Sequence, residues 1–94
     1  MDIMFKFLQA EINSQELYDE IYRFIVSNNI RNGEFEGNEY IIKKMDEDNF
    51  ILFPEYIDDD GKREIHFSMS VYKENLIKEI QNNAIKKGLN ILNE

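Results

Sequence analysis

The segment from Phe50 to Val71 constrains the fold more than any other part of the chain, because an apolar alternation runs into Asp60-Gly61 from both sides. Asp-Gly is a strong hairpin signal, since a two-residue type I′ turn needs positive φ at both positions. Placing the turn there fixes the register. Asp59 then faces Lys62, Asp58 faces Arg63, Tyr56 meets Ile65, Pro54 meets Phe67, Leu52 meets Met69 and Phe50 meets Val71. A slip of one residue would set polar positions against this apolar row, so pattern and turn specify the same pairing. The acids of DDDG do not fit a calcium loop of EF-hand type. Such a loop begins on a ligand and ends on a glutamate, and those positions here are Tyr56 and Phe67. Pro54 has no N–H for a ladder, so the pairing is expected to break or reach an edge near it.

The remaining elements follow from periodicity and turn residues. IMFKFLQA, residues 3–10, alternates Ile3, Phe5 and Phe7 as a strand does, although Met4, Phe7 and Leu8 also fit helical spacing; the aromatic content favours a strand. Asn13 with Glu16 three residues later forms a capping-box pattern, and Leu17, Ile21, Phe24 and Ile25 make the stripe of an amphipathic helix behind it. RNGE marks a turn, EFEGNEYIIKKM a strand with a bulge or late start at Gly37, and MDEDN another turn. NFILFPEYI and REIHFSMSVY are the arms of the hairpin. KENLIKEIQNNAIKKG is a helix with the stripe Leu76, Ile77, Ile80 and Ala84, closed by Gly88 as a C-cap. LNIL is a tail that either adds an edge strand or packs on the core. The expected class is therefore α+β: two layers, an antiparallel sheet of about four strands in β-α-β-β-β-α order, with two helices on one face.

At 94 residues the chain fits one compact domain spanning 1–94 without a linker. It has no cysteine, so disulfides and thiolate metal sites are excluded. The apolar runs are too short for a membrane span and the first residues do not read as a signal peptide, so a cytoplasmic location is expected. A net charge of −8 disfavours direct contact with nucleic acid. Isoleucine (14) and asparagine (11) are abundant, and their A/T-rich codons suggest a bacterial or phage source.

No motif carries recognisable catalysis. His66, the only histidine, falls opposite Glu55 in the hairpin register, with no serine or cysteine nucleophile motif beside it. A zinc site lacks a second histidine or a cysteine, and the glycines form no phosphate loop. Neither an enzymatic activity nor a cofactor is therefore expected. Tyr18 and Tyr22 are expected at the core margin.

Two surfaces are candidates for contact with a partner. Ile51, Phe53 and Ile57 point away from the main apolar row, and a two-layer fold leaves that sheet face needing a cover: the tail, a second copy of the chain, or a target protein. Glu34, Glu36 and Glu39, at the start of one strand, are expected beside Asp58, Asp59 and Asp60 and would give that end a strongly negative surface. In size, charge and motif poverty the chain resembles phage anti-CRISPR proteins and bacterial toxin-immunity proteins. That resemblance implies an inhibitor that occupies a basic surface of a larger protein, such as a nuclease or another nucleic-acid-handling protein. The alternative is a homodimeric structural module joined through its open sheet face.

Overall fold

The computed structural model describes residues 2–27, 33–57, 63–64 and 68–91. Two helices come first, α1 (Ile3–Glu11) and α2 (Gln15–Val26). The strands β1 (Glu34–Glu36), β2 (Tyr40–Lys44), β3 (Asn49–Pro54), β4 (Tyr56–Ile57), β5 (Arg63–Glu64) and β6 (Met69–Tyr72) follow, and α3 (Lys73–Lys86) closes the order. The main sheet is antiparallel and four-stranded in the order β1-β2-β3-β6, with β4 and β5 forming a separate pair. The α+β class is as expected, but a helix precedes the sheet where a strand was expected.

Residues 3–10 are helical because their burial has helical, not alternate, spacing. Met4, Phe7, Leu8 and Glu11 are buried, while Phe5, which a strand reading sets on the same face as Phe7, is 57% exposed. Asp2 caps the helix, its Oδ1 accepting from the Phe5 N–H at 3.0 Å. The cap of α2 is Ser14, one residue later than expected, with Oγ accepting from the Leu17 N–H at 3.2 Å. Asn13 instead serves the helix before it, donating from Nδ2 to the Ala10 carbonyl at 2.7 Å. Tyr18 and Tyr22 lie inside the core, not at its margin, stacked with ring centroids 6.2 Å apart.

The single strand expected over 34–45 is a hairpin. Glu34, Phe35 and Glu36 pair with Lys43, Ile42 and Ile41, and the Gly37 N–H donates to the Tyr40 carbonyl at 2.8 Å across the turn. This split supplies the fourth strand of the sheet in place of residues 3–10.

The register of the main hairpin is the expected one. Phe50 pairs with Val71 and Leu52 with Met69. Beyond Pro54 it shifts by one: Tyr56 pairs with Glu64, not Ile65, and Ile57 with Arg63, displacing the expected Asp58–Arg63 pair. Three residues separate Leu52 from Tyr56 and four separate Glu64 from Met69, so one arm carries one residue more than the other. Pro54 ends β3, and the Glu55 N–H donates to the Glu39 carbonyl at 2.9 Å. The Asp60-Gly61 turn and His66 lie outside the described residues.

All three helices join one core with Tyr40, Ile42, Phe50, Leu52 and Val71 of the sheet. Phe24 of α2 meets Phe50 edge-on at 6.4 Å, and Phe7 of α1 meets Tyr40 edge-on at 6.0 Å. Leu76, Ile80 and Ala84 are the buried stripe of α3. Gly88, at φ +78°, follows it, and the Leu89 N–H bonds the Ala84 carbonyl at 2.8 Å. The tail then packs on the core: Leu89 and Ile91 lie against it, and Asn90 exchanges two 2.8 Å hydrogen bonds with the Gln15 amide. Among the described residues no helix is long and apolar enough to cross a membrane.

Candidate functional site

Directly paired residues of antiparallel strands share a face. The rung Glu34–Lys43–Ile51–Ser70 and the rung Glu36–Ile41–Phe53 therefore lie together on the face of the sheet away from the core cluster. This unites four of the residues singled out in the sequence, Glu34, Glu36, Ile51 and Phe53. Their exposure differs. Glu34 and Glu36 are exposed and Ile51 is half-buried, but Phe53 is only 1% exposed and its partner Ile41 is fully buried. Phe53 therefore does not stand on an open apolar surface. The tail does not supply its cover, since Leu89 and Ile91 pack against the core on the opposite face. The side chain of Ile57 and all of Asp58, Asp59 and Asp60 lie outside the description.

The acidic residues are also arranged differently from the expectation. Because β1 folds back on β2, Glu34 lies opposite Lys43, and the Lys44 N–H donates to the Gly33 carbonyl at 2.8 Å. Glu34 is thus carried to the far end of β2, toward the Asp46–Asp48 turn, and away from the end of β3. Glu39 is the acid beside that end, joined through its carbonyl to Glu55.

From Glu34 to Glu55 there are seven acids and two lysines, so this segment carries 2 − 7 = −5 of the net −8. Lys44 adds little at the surface. It is 3% exposed, with its ammonium donating to the Ser27 carbonyl and lying 5.9 Å from the centre of the Phe50 ring. Glu34, Glu36, Glu39, Asp46, Glu47 and Asp48 are all exposed. The sheet hairpins are therefore a framework of fixed strands that presents acids along one edge and at both ends.

Asp46 shapes one of those ends. Its Oδ1 accepts from the Asp48 and Asn49 N–H groups, and both carboxylate oxygens from Asn49 Nδ2, each at 2.9 Å. The Asp48 N–H and the Asn49 contacts hold its carboxyl below its ordinary value of 3.8. A depressed folded-state value stabilises the fold above the unfolded value and loses that contribution as pH falls through the folded one. Asp46→Ala should therefore lower the melting temperature at pH 7, and the gap from the wild type should close as pH drops below about 3.8. A gap that widens in acid would contradict this role.

A buried polar fastening among the described residues was not apparent from sequence. Glu11, fully buried at the end of α1, accepts backbone N–H bonds from Asn38 at 2.6 Å, Glu39 at 2.9 Å and Tyr40 at 2.7 Å. It fastens α1 to the β1–β2 turn, which in turn fixes where Glu36 and Glu39 stand. A second fastening comes from Lys87, whose ammonium donates to the carbonyls of Leu8 and Ile12 and to Asn13 Oδ1. The signal that could have exposed Glu11 is its spacing: it is the charged member of the Met4, Phe7, Leu8, Glu11 stripe. Among the described residues no group of three or more histidine, cysteine or acidic side chains is placed to hold a metal ion.

No protein-family model, curated protein or solved structure matches the chain.

Proposed function

We propose that the chain is a non-enzymatic inhibitor that binds a larger protein and covers a basic, nucleic-acid-binding surface on it, in the manner of an anti-CRISPR or toxin-immunity protein. The observation that carries this reading is the concentration of charge: five of eight net negative charges lie between Glu34 and Glu55, on strands and tight turns. Fixed acids meet a basic partner without first being ordered, and the field they set up speeds encounter and selects the partner. Homodimerisation through an apolar sheet face is less well supported, because Phe53, its principal anchor, is inside the protein.

The test begins with affinity capture from cells of the source, followed by association rates for the captured partner over a salt series. The on-rate should fall steeply as the screening length shortens to about 8 Å at physiological ionic strength. Glu36→Gln with Glu39→Gln should slow association several-fold at low salt and leave the melting temperature within a few degrees of the wild type. The protein should also displace nucleic acid from its partner in a polarisation assay. Salt-independent rates, or a complex in which the partner still binds nucleic acid, would overturn the proposal.

A further inference from the structure

The two edges of the sheet are unlike. β1 is three residues long and carries Glu34 and Glu36, charges of the kind that discourage further pairing. β6, Met69-Ser70-Val71-Tyr72, has no charge and no proline, and among the described residues it pairs only with β3. An antiparallel strand with one neighbour directs the N–H and C=O groups of alternate residues outward. Beside it runs a groove of about 570 Å³, lined by all four residues of β6 together with Asp2 and Met4 of the α1 end and Asn75 and Glu79 of α3. Successive strand residues point to opposite faces, so a groove touched by all four follows the edge of the strand. Its apolar lining is Met4, Met69 and Val71, and Tyr72 stands at the end, 64% exposed. On the far side of Tyr72 a second depression includes Asp48, Glu74 and Lys73.

We infer that the β6 edge is a docking site for an extended basic segment of a partner protein, which adds to the sheet as a further strand. Charge selects the occupant. Asp2, Glu79, Asp48 and Glu74 flank the edge, all exposed, with Lys73 the single cation lining either depression among the described residues. The N-termini of α1 and α3 contribute about half a positive charge each, which leaves the edge negative. A second copy of the chain would bring the same acids against these and is disfavoured. An arginine or lysine on the helix side of the incoming strand lays its stem along Met4, Met69 and Val71 and sets its head group near Asp2 or Glu79. The intervening residues pass Ser70 and Tyr72 on the other side. This mode is strand addition, in which main-chain bonds supply attachment and alternate side chains supply selection. The β6 edge lies across the sheet from β1 and the β1–β2 turn and shares with the proposed inhibitory segment only Asp48.

The probe is a blocked six-residue peptide of alternating arginine and valine, titrated into the labelled protein and followed by amide NMR shifts. Shifts should concentrate at Met69–Tyr72, Asn75 and Glu79. A proline in place of the central valine should weaken binding at least fivefold, and a glutamate–valine peptide should not bind. Asp2→Asn with Glu79→Gln should also weaken binding at least fivefold; asparagine keeps the helix cap, and Glu79→Gln alone serves if the double variant melts early. Any of four results would overturn the inference: shifts centred elsewhere, affinity within twofold in the charge variants, equal binding of the glutamate peptide, or dimers of the free protein that form through β6.

Discussion

Phe53→Ser should destabilise the protein by about 3–5 kcal/mol, the cost of emptying a buried aromatic site. Phe53 is 1% exposed and sits directly opposite Ile41, which is fully buried. Against a total stability of about 5–15 kcal/mol for an ordinary domain, this loss would bring the chain close to unfolding at body temperature. For a chain of this size the melting temperature should fall by roughly 4–8 °C per kcal/mol. Urea denaturation checks it: the midpoint should drop sharply with little change in the slope. Ile51→Ser, on the same face but half-buried, should cost only about 1 kcal/mol. The contrast separates two pictures of the sheet. If Phe53→Ser melts like the wild type and changes only self-association, that face is open and Phe53 is a contact residue.

This expectation reverses the one drawn from the pattern alone. Alternation correctly places Phe53 opposite to Phe50 and Leu52, and a two-layer architecture leaves that face needing a cover, yet Phe53 is buried. Alternation reports which side a residue points to and says nothing of what lies there. The register of β3 with β6 was legible from the apolar rows, whereas the pairs expected from the Asp-Gly signal are shifted by one at Tyr56–Glu64 and Ile57–Arg63. The shift beyond Pro54 was legible only as a warning, from the missing N–H. The first helix is hard to read because Ile3, Phe5 and Phe7 satisfy the strand period while Met4, Phe7 and Leu8 satisfy the helical one over the same short run, and the local signal that favours the helix is its cap, Asp2. Glu34 stands toward the Asp46–Asp48 turn and not at the end of β3 for a related reason. Gly37, Asn38 and Glu39 form a turn held from outside by a carboxylate 27 to 29 residues earlier, and no local pattern reports a contact at that range. Both fully or nearly buried charges nevertheless left a mark. Glu11 occupies an apolar helical position and Lys44 an apolar strand position, following Tyr40 and Ile42 on the core face.

The Glu11 fastening should show itself as strong coupling between two positions far apart in sequence. A Cβ on Gly37 would lie 2.5 Å from the carboxyl carbon and both oxygens of Glu11. That carboxylate cannot swing aside without releasing three backbone N–H groups, one of them from the buried Tyr40. Gly37→Ala should therefore cost about 1–3 kcal/mol through overpacking. Glu11→Ala should cost more, about 3–5 kcal/mol, since hydrogen bonds to a charged group contribute about 1.5–3 kcal/mol each and the buried Tyr40 N–H would lose its bond to the carboxylate. Water can reach the Asn38 and Glu39 positions, which are exposed, so the three losses do not sum fully. The decisive variant combines the two changes. With the carboxylate gone, the added methyl group meets nothing from residue 11, and the φ of Gly37 lies outside the left-handed region. Alanine then restricts the unfolded chain at a compatible site, a gain of about 0.4–1 kcal/mol. Gly37→Ala should thus change sign, destabilising the wild type and leaving Glu11→Ala unchanged or slightly more stable. Chemical denaturation of the four proteins gives the coupling energy directly. Simple additivity of the two substitutions would mean that Gly37 and Glu11 do not meet in solution, and that α1 is held to the sheet by its apolar stripe and by the Asn38 Nδ2 bond to the Ala10 carbonyl.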